Sequence, residues 1–172
     1  MIIGIGNVTL REFNENDISN KIRWINDSDN NRYLHYDIPL EYGKTLEWYF
    51  KKNKETRLDL VIEYENVPIG LIGLLEIDRV NSKAEYYICL GEKQYKGKGI
   101  AKLASKALLN HAFYDLALNK VYLNVDAQNV AACFLYEKIG FECEGYFKED
   151  MFHNGALIDR KRYAIFENTW RG

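Results

Sequence analysis

The sequence predicts a single-domain α/β protein whose sheet is mixed and mostly antiparallel. Predicted strands outnumber predicted helices, and several of the strands are joined by turns short enough for a hairpin. The chain has 172 residues and is 47% apolar, which is sufficient for one hydrophobic core. It contains no linker-like segment, internal repeat or low-complexity stretch, so residues 1–172 are expected to form one domain.

Apolar periodicity defines the elements of the first half. Residues 17–26 place Ile18, Ile22 and Ile25 on one side of a helix, and residues 65–66 form a tight turn between two strand-like runs. The expected elements of this half are the strands 8–12, 58–64, 69–77 and 83–90 and the helices 17–26 and 41–53.

Capping residues define the second half. A long helical pattern begins at Ile100 and runs to about Leu116. Asn129 is a good N-cap and Gly140 a good terminator, so a further helix is expected between them. The expected strands are 120–125, 142–152 and 158–166, the last two forming a hairpin closed by residues 153–155.

The segment before Ile100 has the features of a phosphate site. Gly97 and Gly99 allow a sharp turn that presents successive N–H groups, and the helix start adds unpaired N–H groups and the positive end of its dipole. Lysines surround the segment against a single acid, Glu92; they are Lys93, Lys96, Lys98, Lys102 and Lys106. The ligand is therefore expected to carry phosphate or pyrophosphate.

Two common phosphate loops do not fit this segment. A Walker A loop has four residues between its first Gly and the Gly-Lys pair, whereas five separate Gly91 from Gly97. A dinucleotide loop has a third Gly three residues after the second, where this chain has Lys102. The remaining pattern is Gln94-x-x-Gly97-x-Gly99, although a Gly-rich turn that merely begins a surface helix would show it too.

A second motif lies downstream of this loop. After a predicted strand come Asn129, Ala132, Leu135, Tyr136, Gly140 and Phe141. The two motifs, separated by one helix and one strand, resemble the GNAT superfamily of N-acetyltransferases. The N-terminal residues 8–13 and 24–27 resemble its branch of ribosomal-protein alanine, spermidine and amino-sugar acetyltransferases. The resemblance covers almost the whole chain and implies a twisted sheet flanked by helices.

The resemblance implies acetyl-CoA as cosubstrate, with no metal required. The loop and helix start would hold its pyrophosphate, Asn129 its pantetheine region, and a backbone N–H freed by a strand bulge would face the thioester oxygen. The expected cofactor-binding residues are Ile88, Cys89, Leu90, Gln94, Lys96, Gly97, Lys98, Gly99, Ile100, Ala101 and Asn129.

The resemblance also implies catalytic residues for direct attack by an amine. Tyr136 would protonate the departing thiolate, and it lies two helical turns from Asn129 on the same face. Glu85 matches a family acid that removes a proton from the amine through water. Glu76 and Asp78, at the end of the preceding strand, compete with Glu85 for this role, and the sequence leaves the base open.

The charge distribution suggests the acceptor. Eight acids and four bases lie between Glu12 and Glu47, and Asp37 and Glu41 flank Pro39 in an expected mobile lip. With the resemblance, this favours a polyamine such as spermidine or spermine, with Asp37, Glu41 and Glu76 as substrate-binding residues. A nucleotide-linked amino sugar, a ribosomal-protein N-terminus and a non-enzymatic acyl-CoA sensor remain alternatives, and the excess acids could also be ordinary solvated helix faces.

Composition excludes several other classes. The net charge of −2 argues against nonspecific nucleic-acid binding, and no apolar run is long enough to span a membrane. The three cysteines and three histidines show no metal-binding spacing, which favours reduced thiols in a cytoplasmic protein. A small-molecule amine is the expected partner, and a homo-oligomer is left open.

Overall fold

The computed structural model describes residues 1–172 and contains one eight-stranded sheet in the order β1-β2-β3-β4-β5-β6-β8-β7. Every neighbouring pair of strands is antiparallel except β5 and β6, which are parallel. This confirms the predicted mixed, mostly antiparallel sheet. The strands are β1 Ile2–Ile5, β2 Val8–Glu12, β3 Leu58–Tyr64, β4 Val67–Asp78, β5 Lys83–Leu90, β6 Lys120–Asp126, β7 Glu142–His153 and β8 Ala156–Phe166.

Five helices cover the two faces of the sheet. Apolar residues of β3 alternate between them: Leu60 and Ile62 belong to the larger core, which includes residues of α4, and Val61 to a smaller core that Trp24 of α1 helps to form. Both faces are therefore buried near the sheet centre. The helices are α1 Ile18–Asn26, α2 Ser28–Asn31, α3 Tyr42–Lys51, α4 Ile100–Asn110 and α5 Val130–Ile139.

The parallel strands β5 and β6 part halfway along their length. They pair only from Lys83 to Glu85, opposite Lys120 to Tyr122, while β5 continues on β4 as far as Leu90. Beyond Glu85 a wedge opens between the two strands. The crossover from β5 to β6 runs through α4, so the helix start and the loop before it lie at the carboxyl end of β5, next to the wedge.

The wedge leaves backbone groups of β5 without a strand partner. The N–H of Gly91 donates to Ile69 of the β4 side, and the two-residue alternation of an antiparallel ladder directs the N–H of Cys89 the same way. The N–H groups of Ile88 and Leu90 therefore face the wedge. The expected bulge at residues 88–90 is wrong, because β4 and β5 stay in register there and the strand divergence frees the amides.

Three elements differ from the sequence-based expectation. The edge strand β1 was missed because it has only four residues and takes its order from pairing with β2. Helix α4 ends at Asn110, and residues His111–Asp115 form a wider turn in which the N–H of Leu116 donates to the carbonyl of His111. Helix α2 was missed because four polar residues carry no apolar period. No helix of the chain combines the length and the apolar character needed to cross a membrane.

Replacement of Gly73 by Ala should destabilise the fold. A Cβ at this position would lie 2.1 Å from the Leu58 carbonyl oxygen and 2.6 Å from Cε1 of Tyr87, so strands must shift. We expect a loss of about 1–3 kcal/mol in the free energy of unfolding, measured by urea denaturation. Gly43→Ala on α3 is the matched control: its Cβ meets nothing within 4 Å and should stabilise the helix by roughly 0.5–1 kcal/mol. Equal stability of the two variants would contradict this packing.

Candidate active site

The wedge between β5 and β6 widens into a cleft of about 730 Å³. Its walls are the two strands, the loop before α4, the first turns of α4 and α5, and part of the segment between α1 and α3. Nine of the eleven expected cofactor residues line it: Ile88, Cys89, Leu90, Lys96, Gly97, Gly99, Ile100, Ala101 and Asn129. Because the N–H of Cys89 is directed to β4, Cys89 cannot donate it to a ligand in the cleft and can contact such a ligand only through its other atoms.

The side chains of Gln94 and Lys98 lie outside the cleft lining, so their contact with the cosubstrate stays a prediction. Gln94 is exposed on a short 3-10 turn, Lys93–Tyr95. Lys98 lies between two glycines of positive φ, and its ammonium sits 5.6 Å from the ring centroid of Tyr95. The sequence pattern located the loop correctly, but it could not say to which side each of its side chains turns.

The loop before α4 presents a continuous row of free N–H groups. The six N–H groups from Gly97 to Lys102 make no hydrogen bond within the chain, and the next, that of Leu103, donates to the Gly99 carbonyl. Gly97 and Gly99 have φ values of 74° and 75°, the left-handed conformation that favours glycine. A row of N–H groups at a helix start suits an anion, so the loop fits the pyrophosphate of coenzyme A.

Asn30 and Trp24 hold this loop against the N-terminal helices. The Asn30 side-chain amide donates to the carbonyls of Gly91 (3.0 Å) and Trp24 (3.1 Å). The Trp24 indole donates to Glu92 at 2.8 Å, and the hydrogen bond from Arg23 to the same carboxylate lowers the pKa of Glu92. No sequence motif indicates these contacts, because Trp24 and Glu92, like Asn30 and Gly91, are more than 60 residues apart along the chain.

Tyr136 and Asn129 project from α5 into the cleft. The Tyr136 ring packs edge-on against Tyr86 and Phe141, each with centroids 6.0 Å away, and its hydroxyl has no hydrogen-bond partner in the chain. Burial raises the pKa of Tyr136 well above that of a free tyrosine, so the phenol stays protonated. The Asn129 side-chain oxygen caps α5 by accepting from the N–H of Ala132 at 3.2 Å, which leaves its amide N–H free to donate.

Glu85 lies where the cleft meets a second pocket of about 240 Å³. Its carboxylate accepts a hydrogen bond of 3.3 Å from Asn124, which in turn accepts one of 3.1 Å from Arg162. Glu76 lines the same second pocket, because the register shift between Leu75 and Asp78 turns it there with a φ of 50°. Asp78 instead hydrogen-bonds the loop residue Asn81, as an exposed turn residue does.

Asp37 and Glu41 line a third cavity, of about 330 Å³, which we call the acceptor cavity. Its wall also contains Pro39, Tyr36 and Trp48, and three cationic side chains, Lys21, Lys44 and Arg57. The eight N-terminal acids do not form one acidic surface, because four of them pair with nearby bases. Arg11 pairs with Asp17, Lys93 with Asp29, Lys44 with Glu41 and Lys51 with Glu47.

Comparisons with known proteins agree with this geometry. The acetyltransferase (GNAT) domain family matches residues 7–142. The chain belongs to this family. Like other GNAT acetyltransferases it uses acetyl-CoA.

Named relatives of this acetyltransferase cover nearly its full length. A spermidine N(1)-acetyltransferase of Escherichia coli K12 is 32% identical over 87% of this chain and 82% of its own. Another from Vibrio cholerae is 33% identical over 95% of both chains. A crystal structure of spermidine N-acetyltransferase from Vibrio cholerae in complex with CoA and spermine has a TM-score of 0.87 and 31% identity, covering 94% of this chain and 96% of its own.

A buried ionic network between the acetyltransferase's sheet and α3 was not anticipated from the sequence. Asp59 of β3 accepts from Arg57, from Lys52 at 3.0 Å and from the Tyr87 hydroxyl at 2.7 Å. Burial is the largest single effect and works against the ionisation of Asp59, but the hydrogen bonds from Arg57 and Tyr87 and the charges of Arg57 and Lys52 together outweigh it and lower the pKa of Asp59. Lys52, Arg57 and Asp59 are close in the sequence, but Tyr87 lies 28 residues from Asp59, and no motif links it to the other three.

Two of the three histidines, scattered in sequence, meet in the structure. His35 Nε2 lies 2.7 Å from the buried Asp126 carboxylate, and its ring centroid is 4.4 Å from that of His153. This contact ties the segment between α2 and α3 to the end of β6 and to the tip of the β7–β8 hairpin. No group of three or more His, Cys, Asp or Glu side chains could hold a metal ion.

Substitution of Gly99 by Val should abolish most acetyl-CoA binding. A Cβ at Gly99 meets no protein atom within 4 Å, so a larger side chain would occupy the space in front of the free N–H groups. Gly6→Val is the control, since Gly6 also has a positive φ (58°) and an open surround, but lies in the β1–β2 turn. Calorimetry should show much weaker binding for Gly99→Val alone, although both variants carry a backbone strain of about 1–2 kcal/mol. Equal acetyl-CoA affinity of the two variants would mean that the loop does not bind the cosubstrate.

Proposed function

We propose that this protein moves the acetyl group of acetyl-CoA to a primary amine of a polyamine, spermidine or spermine. The observation that carries acetyl transfer is the combination of the six free N–H groups of the loop with the unpartnered Tyr136 hydroxyl in one cleft. The acceptor is supported by the two spermidine N(1)-acetyltransferases, which align over 82% and 95% of their own lengths.

Different residues of the cleft have different roles in acetyl transfer. Acetyl-CoA supplies an acetyl group activated as a thioester. The N–H groups of Ile88 and Leu90 face the wedge, where they stabilise negative charge developing on the thioester oxygen. As the amine attacks and the carbon–sulfur bond breaks, Tyr136 gives its proton to the leaving sulfur. Asn129 orients the pantetheine arm with its free side-chain N–H.

Glu85 and Glu76 act on the acceptor side of the cleft. Glu85 contacts both the cleft and the second pocket, so it can receive a proton from the attacking nitrogen through a water molecule. Glu76 lines the same pocket and attracts a further ammonium group of the polyamine. Asp37 and Glu41 attract ammonium groups in the acceptor cavity, where Asp37 has no ion-pair partner within the chain.

A nucleotide-linked amino sugar is the competing acceptor. The acceptor cavity carries three cationic side chains, Lys21, Lys44 and Arg57, which suit the phosphates of a nucleotide. A ribosomal-protein N-terminus is a third possibility, because a putative ribosomal N-acetyltransferase of Bacillus subtilis is 34% identical over 63% of this chain. A non-enzymatic acyl-CoA sensor would bind acetyl-CoA without turning it over with any amine.

Self-association forms a further part of this proposal. A Vibrio cholerae spermidine N-acetyltransferase that aligns with 94% of this chain has been described as dodecameric. In this chain β7 is a twelve-residue edge strand, and its hairpin with β8 exposes large apolar side chains that include Tyr146, Phe152 and Leu157. Pairing through such an edge would cover these groups in a homo-oligomer.

Tyr136→Phe should lower kcat by roughly 10²–10⁴-fold while leaving acetyl-CoA affinity close to that of the unmodified protein. The substitution keeps the aromatic packing and removes only the proton. The measurement is thiol release with saturating spermidine at neutral pH, with acetyl-CoA binding followed by calorimetry. Tyr114→Phe, at an exposed position after α4, is the matched control and should behave as the unmodified protein. An unchanged kcat for Tyr136→Phe would assign the proton to another group.

Acceptor choice should depend on carboxylates and on salt. We expect spermidine to be acetylated faster than a nucleotide-linked amino sugar, with a KM that rises with ionic strength. Asp37→Asn with Glu41→Gln should raise this KM more than it lowers kcat, since the carboxylates bind ground and transition states alike.

A control variant separates local from global charge effects. Glu47→Gln with Asp115→Asn removes the same net charge outside the acceptor cavity and should leave the spermidine KM unchanged. Faster acetylation of the amino sugar, or identical KM values for the two double variants, would overturn the polyamine assignment.

A further inference from the structure

Lys21 of α1 is a buried lysine without a counterion. The residue is 5% exposed, and its ammonium nitrogen makes no ion pair and no hydrogen bond within the chain. It lies 3.5 Å from the ring centroid of Trp48, with the rings of Tyr36 and Phe13 at 5.7 and 5.8 Å. Lys21 also lines the acceptor cavity, so a ligand in that cavity can reach it.

The charged and titratable groups around Lys21 do not neutralise it. The nearby carboxylate, Asp59, is already engaged by Arg57 and Lys52. Burial lowers the pKa of Lys21 to about 7, helped by the charges of Arg57 and Lys52 and opposed by Asp59 and Cys89. At neutral pH a large fraction of Lys21 is therefore a free amine with an available lone pair, which a solvated lysine is not.

Lys21 lies on the face of the sheet where the acceptor must approach. Glu85, Tyr87 and Cys89 alternate onto one face of β5, and all three line the cofactor cleft. The Tyr87 hydroxyl bonds Asp59 on this face, and Cys89 is close enough to Lys21 to influence its titration. The acceptor cavity, lined by Lys21 and Arg57, and the cleft, lined by Tyr87 and Cys89, therefore both border this face.

We propose that Lys21 is a catalytic residue that accepts the first proton lost by the acceptor ammonium. This inference rests on the proposed function. An N–H bond of the acceptor breaks, its electron pair stays on the acceptor nitrogen, and a new N–H bond forms on the Lys21 nitrogen. The neutral amine then attacks the thioester carbonyl, and the second proton leaves the nitrogen through water to Glu85, while Tyr136 protonates the sulfur. Lys21 returns its proton to solvent through the acceptor cavity.

The aromatic surround makes both protonation states of Lys21 accessible. Burial disfavours the ammonium form, but the face of an aromatic ring attracts a cation. Trp48 therefore keeps the protonated product of the transfer from becoming prohibitively unstable. A neutral Lys21 also does not repel the incoming polycation, whereas a permanent charge at this place would.

Two substitutions separate proton transfer from structural support. Lys21→Arg keeps the positive charge and the contact with Trp48 but cannot release a proton at any accessible pH. Lys21→Met keeps much of the volume and removes the charge. Both should lower kcat/KM for spermidine at pH 7 by about 10²-fold. The loss should shrink as the pH rises towards the pKa of the acceptor amine, because the acceptor then loses its proton without help.

The direction of the pH dependence of kcat/KM follows from the protonation state of Lys21. Below pH 7 Lys21 is protonated and cannot accept, so kcat/KM of the unmodified protein should rise through an inflection near pH 7. That inflection should be absent from both variants. Lys120→Arg and Lys120→Met serve as controls, since Lys120 pairs with Glu144 at the far end of β6 and should leave the profile unchanged.

The outcomes separate this inference from the proposed function. If the unmodified protein acetylates spermidine and Lys21→Arg retains its rate and pH profile, Lys21 is not the proton acceptor. If the unmodified protein acetylates no polyamine, the proposed function fails instead. Should the variants not fold, NMR titration of the Lys21 side chain in the unmodified protein decides: an inflection near pH 7 supports the inference, and one above about pH 10 overturns it.

Discussion

The parting of β5 and β6 is the constraint on which the rest of the structure depends. Every backbone N–H group needs an acceptor, which is another group of the chain, water or a ligand. This chain provides none for six in a row before and within the first turn of α4, and none for two more on β5 where no strand follows. An oxygen-rich ligand is the natural partner for such a surface. Pyrophosphate fits at the helix start and the thioester fits in the wedge, which is the arrangement expected of a GNAT acetyltransferase.

The remaining elements hold the wedge in place. Asn30 and Trp24 tie the phosphate loop to α1 and α2, while the aromatic packing of Tyr136 fixes α5 against β5. On the opposite face, Asp59 accepts hydrogen bonds from two cationic side chains and a tyrosine hydroxyl. Lys21 has no carboxylate partner there. The same face therefore holds a saturated ionic network and a lysine able to change its protonation state.

Local patterns were enough to predict much of the fold and part of the site. The strand Leu58–Tyr64 was predicted with its observed bounds, Gly97, Gly99 and Asn129 were singled out by spacing and capping chemistry, and Tyr136 by the family resemblance. Helix α2 and strand β1 were missed because short polar or edge segments carry little periodicity. Lys21 and Asn30 were missed because their contacts join elements that are distant in the sequence, and the hydrogen bond from Tyr87 to Asp59 was missed for the same reason. The count of acids in the N-terminal third did not show which of them are free, because four of the eight pair with nearby bases.

Amide hydrogen exchange with and without coenzyme A tests the central claim most directly. In the free protein the N–H groups of residues 97–102, together with those of Ile88 and Leu90, should exchange fast, whereas that of Cys89, which is directed to β4, should be protected. Saturation with coenzyme A should protect the first set and leave Cys89 unchanged. If residues 97–102 gain no protection while coenzyme A is bound, the cosubstrate lies elsewhere and the account of the site is wrong.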